Sequence, residues 1–405
     1  MSSAPSVRFL DRSTPPHIFT LVILAGLQAG VMNIFLPSMP NMAIYFETNY
    51  RLVQLSVSLY LAASALLQML IGSLSDRYGR RPIILGALGL FMLATLGAVL
   101  APTIEIFLAF RMAQAVIAAG MVLSRAIVRD MFPPEQSASM LGYVTMGMAL
   151  IPMVSPLLGG ALEQLFGWKA NFIFMLIAGG IVMVLVWYDL GETAANLGQK
   201  ASKKTGGLPE LLRSPRFWGY ASALMFSSGT FFAYLGGAPF VGTVVFGLSP
   251  AKLGLYFGAP ALGYALGNFL SGRLSVRMGL NAMCLAGTIV TTGGLALSLL
   301  VFYLGFADLN VFFGFMCVVG FGNGMVMPNA TAGMLSVRPH LAGTASGLGG
   351  AMMIGGGAAL AALAGGLLAP ETGAYPLLWV MFVSSLLSIG AIQIVRWRAR
   401  QLRGR

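Results

Sequence analysis

Apolar residues occur in long runs along this chain, separated by short polar stretches. The runs fall at about 18–40, 53–74, 83–102, 104–126, 139–163, 170–188, 217–240, 253–272, 281–304, 309–335, 345–369 and 375–395. Crossing the hydrocarbon layer takes about 20 helical residues, and each run is near that length. Barrel strands alternate apolar and polar positions, and these Gly/Ala/Leu-rich runs do not. Backbone N–H and C=O groups facing lipid must be satisfied within their own segment, so each run is predicted to be a helix. The pattern predicts an all-α polytopic membrane protein with 12 transmembrane helices.

The longest polar stretch, 189–216, lies between the sixth and seventh runs. It is expected to be a flexible linker dividing the chain into an N-terminal six-helix half (1–188) and a C-terminal half (217–405). The halves echo each other. Gly72-Ser-Leu-Ser-Asp-Arg-Tyr-Gly79 precedes Gly272-Arg-Leu-Ser-Val-Arg-Met-Gly279 by 200 residues, between the second and third helix of each half. Gly120 and Gly324 correspond in the fourth helices, and Gly159-Gly160 and Gly365-Gly366 in the fifth. Pseudo-symmetric six-helix halves are an architecture of alternating-access transporters.

Composition excludes other classes. Hydrophobic residues make up 57% and charged residues only 9% of 405 positions; soluble domains carry about 25% charge. A net charge of +12 would suggest nucleic acid in a soluble protein. Here 20 of the 24 Lys and Arg fall at one side of the predicted bundle, and only Arg51, Lys169 and Lys252 at the other. Arg111 is left within a helix. Basic loops stay on the cytoplasmic side, so both termini are expected there, in a bacterial inner membrane. The two cysteines, Cys284 and Cys317, stand in apolar runs without His or acidic neighbours, which suits small buried hydrophobes rather than a metal or disulfide framework.

Three motifs carry the chemistry. Gly72-Ser-Leu-Ser-Asp76-Arg77-Tyr-Gly79-Arg80-Arg81-Pro82 places a glycine where the chain must turn and Pro82 in the first turn of the next helix. Arg111-Met-Ala-Gln114 puts a charge inside a span, which costs several kcal/mol unless it is paired or wetted. Pro156-Leu-Leu-Gly159-Gly160 combines a kink with small residues for close helix packing.

Together these motifs resemble those of the major facilitator superfamily. The first matches its loop G-x-L-x-D-R-x-G-R-R/K at every key position. The resemblance implies that Gly72, Asp76, Arg77, Gly79, Arg80 and Arg81, with Asp130 as the partner of Arg77 or Arg81, form a latch holding the halves in the outward-open state. The second is similar to R-x-x-Q-G, with Ala115 in place of the glycine, and implies that Arg111 faces the central cavity, where it binds substrate or tunes a proton site. The third is similar to the antiporter signature, with Ser155 where the glycine before Pro156 stands. Leu36-Pro37-Ser-Met-Pro40, Gln54-Leu-Ser-Val-Ser-Leu-Tyr60 and Ser124-Arg125-Ala-Ile-Val-Arg129-Asp130 narrow the resemblance to drug:proton antiporters of the bicyclomycin/chloramphenicol (Bcr/CflA) type. Such relatives carry Asp where this chain has Asn33.

None of the 12 acidic residues is expected deep in a span, and both histidines, His17 and His340, lie outside them. The carboxylates left for proton coupling are Asp76 or Asp130 near the basic side and Glu163 near the other. Polar and aromatic positions give the cavity candidates Asn33, Tyr60, Gln68, Arg111, Phe231, Tyr234, Tyr256 and Asn323, with Gln28, Asn268 and Asn329 behind them. The function these readings imply is export of small amphipathic drugs by alternating access, coupled to protons. A uniporter or uptake carrier for a metabolite is the alternative, and a non-transporting receptor on the same fold is another. No cofactor beyond a proton gradient is expected, no ATP-driven step and no enzymatic activity. The expected partners are a small-molecule substrate and the lipid bilayer, with no nucleic acid, around a monomer.

Overall fold

A membrane-spanning chain has to close its backbone hydrogen bonds internally, and in a computed structural model this chain does so with helices. The structure describes residues 7–131, 144, 151, 154–193, 208–338 and 341–403. The middle of the polar stretch 189–216, the first part of the fifth run and His340 lie outside the described residues.

Among the described residues ten helical stretches are long and apolar enough to cross a membrane. In chain order the helices are α1 (Ile18–Asn33), α2 (Met39–Tyr45), α3 (Tyr50–Tyr78), α4 (Arg80–Leu100), α5 (Ile104–Ala113), α6 (Ala118–Met131), α7 (154–166), α8 (Lys169–Asp189), the short α9 (Leu208–Leu212), α10 (Pro215–Phe240), α11 (Pro250–Phe257), α12 (Ala259–Met278), α13 (Leu280–Tyr303), α14 (Leu309–Ser336), α15 (Ala342–Leu367) and α16 (Tyr375–Arg403). Eleven of the twelve apolar runs coincide with helix, and the described end of the fifth, 154–163, lies in α7. Four runs that look continuous in sequence are not regular helices. The first breaks after Asn33 into a 3₁₀ turn at Leu36–Ser38, with Pro37 at its second position. The fourth tightens to 3₁₀ at Gln114–Ile117. The seventh contains Pro239 and ends in a π-helical turn, Val241–Val245. The eighth breaks at Gly258, ahead of Pro260.

The predicted repeat is a repeat of backbone geometry. Gly79 ends α3 at φ 97° and ψ 157° and starts α4; Gly279 ends α12 at φ 84° and ψ 153° and starts α13. Both donate their N–H to a serine carbonyl four residues back, Ser75 and Ser275. The turn needs positive φ, which an L side chain rarely adopts, so glycine stands at both places.

Helix ends sort into two sides. At the basic end the starts of α1 and α4 meet the ends of α6 and α8: Arg80 reaches Asp130, Arg81 reaches the Leu190 carbonyl, and Leu10 and His17 donate backbone N–H groups to Asp189 at 2.7 and 2.9 Å. At the far end a cluster of six rings, Phe35, Tyr45, Phe46, Phe107, Trp168 and Phe172, packs in edge-to-face and tilted pairs with centroids 5.1–5.9 Å apart.

Helices α1–α8 and α10–α16 join across a seam at that far end. Two hydrogen bonds cross it: Tyr50 Oη donates to the Gly236 carbonyl at 2.8 Å, and Gln54 Nε2 donates to the Ala361 carbonyl at 2.5 Å. Small residues let backbones touch here. A Cβ on Gly160 would strike the Pro250 carbonyl, and one on Gly254 would strike the Pro156 carbonyl. Toward the basic end, Gly72 on α3 and Gly347 and Gly350 on α15 have open space where a Cβ would stand.

Because the α7–α11 approach is backbone on backbone, Gly254→Leu is expected to hold the far end apart. In the folded variant, spin labels at positions 51 and 252 should move apart, and transport should fall by at least tenfold. An unchanged label distance would show that the seam tolerates a side chain.

Candidate functional site

The helix breaks decide which polar groups are available inside the bundle. The last four carbonyls of a helix lack intrahelical partners. Because α1 stops at Asn33, the Val31 carbonyl is one of these, and Arg111 Nη2 donates to it at 3.0 Å. Because α11 stops before Gly258, the Phe257 carbonyl is another, and Tyr234 Oη donates to it at 3.2 Å. In lipid such groups must find protein partners, and here two candidate residues supply them.

Arg111 is 1% exposed. Its Nη1 donates to Gln114 Oε1 at 2.7 Å, Gln114 Nε2 donates to Thr95 Oγ1 at 2.8 Å, and Thr95 donates to the Phe91 carbonyl at 2.7 Å. Arg111 stands in the last turn of α5 and Gln114 follows it at i+3, a spacing that makes side chains neighbours on a helix surface. The guanidinium lies between two rings, 4.3 Å from the Phe35 centroid and 4.2 Å from that of Tyr60. Arginine suits this place because its planar cation is weakly hydrated and stacks on aromatic faces. No carboxylate lies within ion-pair distance of it among the described residues. Arg111 Nε is buried with no hydrogen-bond partner. Along α3, Ser56, Tyr60, Ser64 and Gln68 follow at four-residue intervals, and the Ser56 and Ser64 hydroxyls and Gln68 Nε2 are also buried without partners. Asn33 is buried, with Nδ2 bonded to the Ala29 carbonyl and Oδ1 unpartnered.

The other group of helices encloses a cavity of about 250 Å³, among α10, α12, α14, α15 and α16. Phe231, Phe232, Tyr234 and Tyr264 give it aromatic walls, and Met316, Met327, Met353 and Met381 give it pliable ones. Asn323 also lines it. Its amide is held by Ser227 Oγ donating to Oδ1 at 2.6 Å and by Nδ2 donating to Thr230 Oγ1 at 3.0 Å. Asn329 is held likewise by Ser271 and the Met325 carbonyl. Of the candidates drawn from sequence, the structure brings Phe231, Tyr234 and Asn323 together here. Tyr256 is elsewhere: its hydroxyl bonds Asn310 Oδ1 at 3.2 Å beside Phe313. It belongs to α11, which the Gly258 break separates from the cavity-lining α12. The methionines and Tyr264 were not singled out in sequence, because nothing in an apolar run marks which face meets a void.

The charged loop is wired differently from the expectation. The partner of Asp130 is Arg80, at 3.2 Å, and not Arg77 or Arg81. Arg80 starts α4 and also bonds Asp76, one turn back on α3, so it bridges two carboxylates. Arg81 points the other way, donating to the Leu190 carbonyl at 2.8 Å and the Trp187 carbonyl at 3.2 Å, with its guanidinium 5.0 Å from the Trp187 ring. Arg77 rests over Tyr78. Glu192 was missed in sequence. Its carboxylate accepts from the backbone N–H of Arg80 at 2.9 Å and of Arg81 at 3.2 Å, and so caps α4 where the helix dipole favours an anion. An acidic residue just past the sixth span was the available signal.

Pro156, Gly159 and Gly160 lie on α7 at the seam. Gly159 meets the Ile34 carbonyl, and Asn171 Nδ2 donates to the Gly159 carbonyl at 3.2 Å and to Ser38 Oγ at 2.7 Å. One turn further on, Glu163 is 6% exposed. Asn41 donates to its Oε1 at 2.7 Å, and its Oε2 is buried without a partner.

Residues 21–362 match the family model described as Major Facilitator Superfamily. This chain belongs to that superfamily. It is therefore a multi-pass membrane transporter and not an enzyme, as its motifs implied. Over 93% of its length the chain is 32% identical to an uncharacterised MFS-type transporter, YdgK, of Bacillus subtilis, covering 96% of that protein. Over 97% of its length it is 28% identical to a bicyclomycin resistance protein homolog of Haemophilus influenzae, covering 99% of it. Among solved structures, a bacterial homolog of the human lysosomal transporter Spinster, captured inward-facing and occupied, superposes with a TM-score of 0.74 at 18% identity, over 95% of this chain and 96% of that one. The superfamily fold expected from the repeated halves is the fold found.

Each cation–π contact at a desolvated site is worth about 2 kcal/mol. Tyr60→Leu removes one face of the Arg111 sandwich and is expected to lower the melting temperature in detergent by several degrees. Tyr60→Phe keeps that face and should stay within about 1 °C of the parent.

Proposed function

We propose that this transporter exports small amphipathic drugs or other xenobiotics across a bacterial inner membrane by alternating access, driven by proton exchange. The observation that carries the reading is the aromatic and methionine cavity. It is large enough for part of a drug-sized molecule, and its flexible lining suits many shapes rather than one. The drug-resistance relative supports the same class of cargo.

By the positive-inside rule the basic end, with both termini, is cytoplasmic. The seam then closes the bundle toward the outside, and the open positions beside Gly72 and Gly350 face the cytoplasm. Arg80 bonds Asp76 and Asp130, both in the first half, which fits the released form of the latch. The chain works as a monomer, since one copy holds both the cavity and the seam.

Protons enter through Glu163. Its carboxyl group is buried one turn from the Gly159–Gly160 contact, with one oxygen unpartnered, so opening the seam changes its surroundings directly. The basic groups of that end, Arg51, Lys169 and Lys252, are not within ion-pair distance of it.

In proteoliposomes, labelled chloramphenicol should move, and an imposed pH gradient should accelerate it at least threefold. Glu163→Gln should transport at the rate seen without a gradient and lose the acceleration. Flux indifferent to the gradient in the wild type would make the chain a uniporter, and no flux of any drug would favour a receptor.

A further inference from the structure

Among the described residues the interior of the bundle, away from its two ends, holds one full charge, and it is positive. Among the described residues two carboxylates are buried, and both are at the ends: Glu163 on Asn41 at the far end, and Asp189 on the backbone N–H groups of Leu10 and His17 at the basic end. The cavity lining carries no acidic or basic side chain. Among the described residues no carboxylate is paired with Arg111. Its described hydrogen-bond partners are an amide oxygen and a peptide carbonyl, and its two faces are covered by rings.

We propose that Arg111 is a specificity-determining residue that sets the charge class of the cargo, admitting neutral and anionic amphiphiles and rejecting cations. This deepens the export reading and rests on it. The argument is electrostatic and needs no contact between Arg111 and the cargo. Charges inside a low-dielectric protein act over long distances with little screening. A cation entering a cavity without a carboxylate loses its hydration, gains no counter-charge, and meets the field of a guanidinium that remains protonated throughout the working pH range. A neutral molecule loses none of this, and an anion gains from it. The neighbours of Arg111 keep the charge in place without cancelling it. Gln114 orients Nη1, the freed Val31 carbonyl orients Nη2, and the Phe35 and Tyr60 faces replace water.

Gln114 offers the cleanest test, because its Oε1 already accepts from Arg111 at 2.7 Å. Gln114→Glu puts a carboxylate at that distance, cancels the charge and leaves the ring sandwich; the Thr95 hydroxyl can turn its proton to the new oxygen. Arg111→Gln removes the charge outright. The probes are chloramphenicol, which is uncharged, and tetraphenylphosphonium, a monovalent cation, each followed in proteoliposomes held at zero membrane potential. The wild type is expected to move the cation at least tenfold more slowly than the neutral drug. Both variants should raise the cation-to-neutral rate ratio by about tenfold. Equal rates in the wild type, or a ratio unchanged in both variants, would overturn the assignment. Binding read as thermal stabilisation in detergent makes the same comparison without transport. Stabilisation by chloramphenicol and not by the cation supports the assignment even if no flux occurs, in which case the export reading alone fails. Equal stabilisation by both probes overturns it.

Discussion

The constraint on which this structure depends is that a peptide group inside a bilayer has no water to bond. An unbroken helix meets it automatically, and most of the described runs are unbroken. Four are broken or tightened, and two of the breaks leave a carbonyl that a side chain must take. Arg111 takes that of Val31 and Tyr234 takes that of Phe257. Both residues are inside the bundle because a helix nearby could not continue. The breaks in the first and eighth runs therefore do two jobs at once. They bend the spans that meet at the seam, and they fix the polar groups that define the interior.

The same constraint accounts for the use of glycine. Where Gly160 meets Pro250 and Gly254 meets Pro156, the two halves touch through main chain alone. Where Gly79 and Gly279 turn the chain between spans, positive φ lets one helix stop and the next begin without a loop. The first of these turns is reinforced by Glu192 and the Arg80 bridge. The second has no counterpart, because Val276 stands where Asp76 does and is almost wholly exposed. Among the described residues the pseudo-symmetry at these two turns is thus of backbone rather than of charge.

Much of the architecture was legible in the residues, because the signals are local. Apolar runs of bilayer length mark spans whatever they pack against, and Asp76, Gly79 and Arg80 form a motif within five positions. Asn323, Tyr234 and Phe231 could be placed near a cavity because buried amides and aromatics in spans are few. What was not legible depends on facing. Which arginine reaches Asp130 is set by the direction in which α4 leaves Gly79, and the sequence of Arg80-Arg81 does not state it. Tyr256 does not line the cavity, because it stands on α11, which the Gly258 break separates from the cavity-lining α12. The four cavity methionines were hidden among 25, because a thioether beside a void and one beside lipid look the same in sequence.

The bare contact between α7 and α11 bears on the energetics of the cycle. Most packed interfaces trap side chains in single rotamers, and separating them releases that entropy while exposing apolar surface. A crossing made of Gly160, Gly254 and neighbouring carbonyls has almost no rotamers to free. At this crossing the closed and open forms therefore differ little in side-chain entropy, and the bonds of Tyr50 and Gln54 beside it carry the side-chain part of closure. Separation there costs main-chain contact and little else, so what decides whether the far end opens is the small set of side chains flanking the glycines.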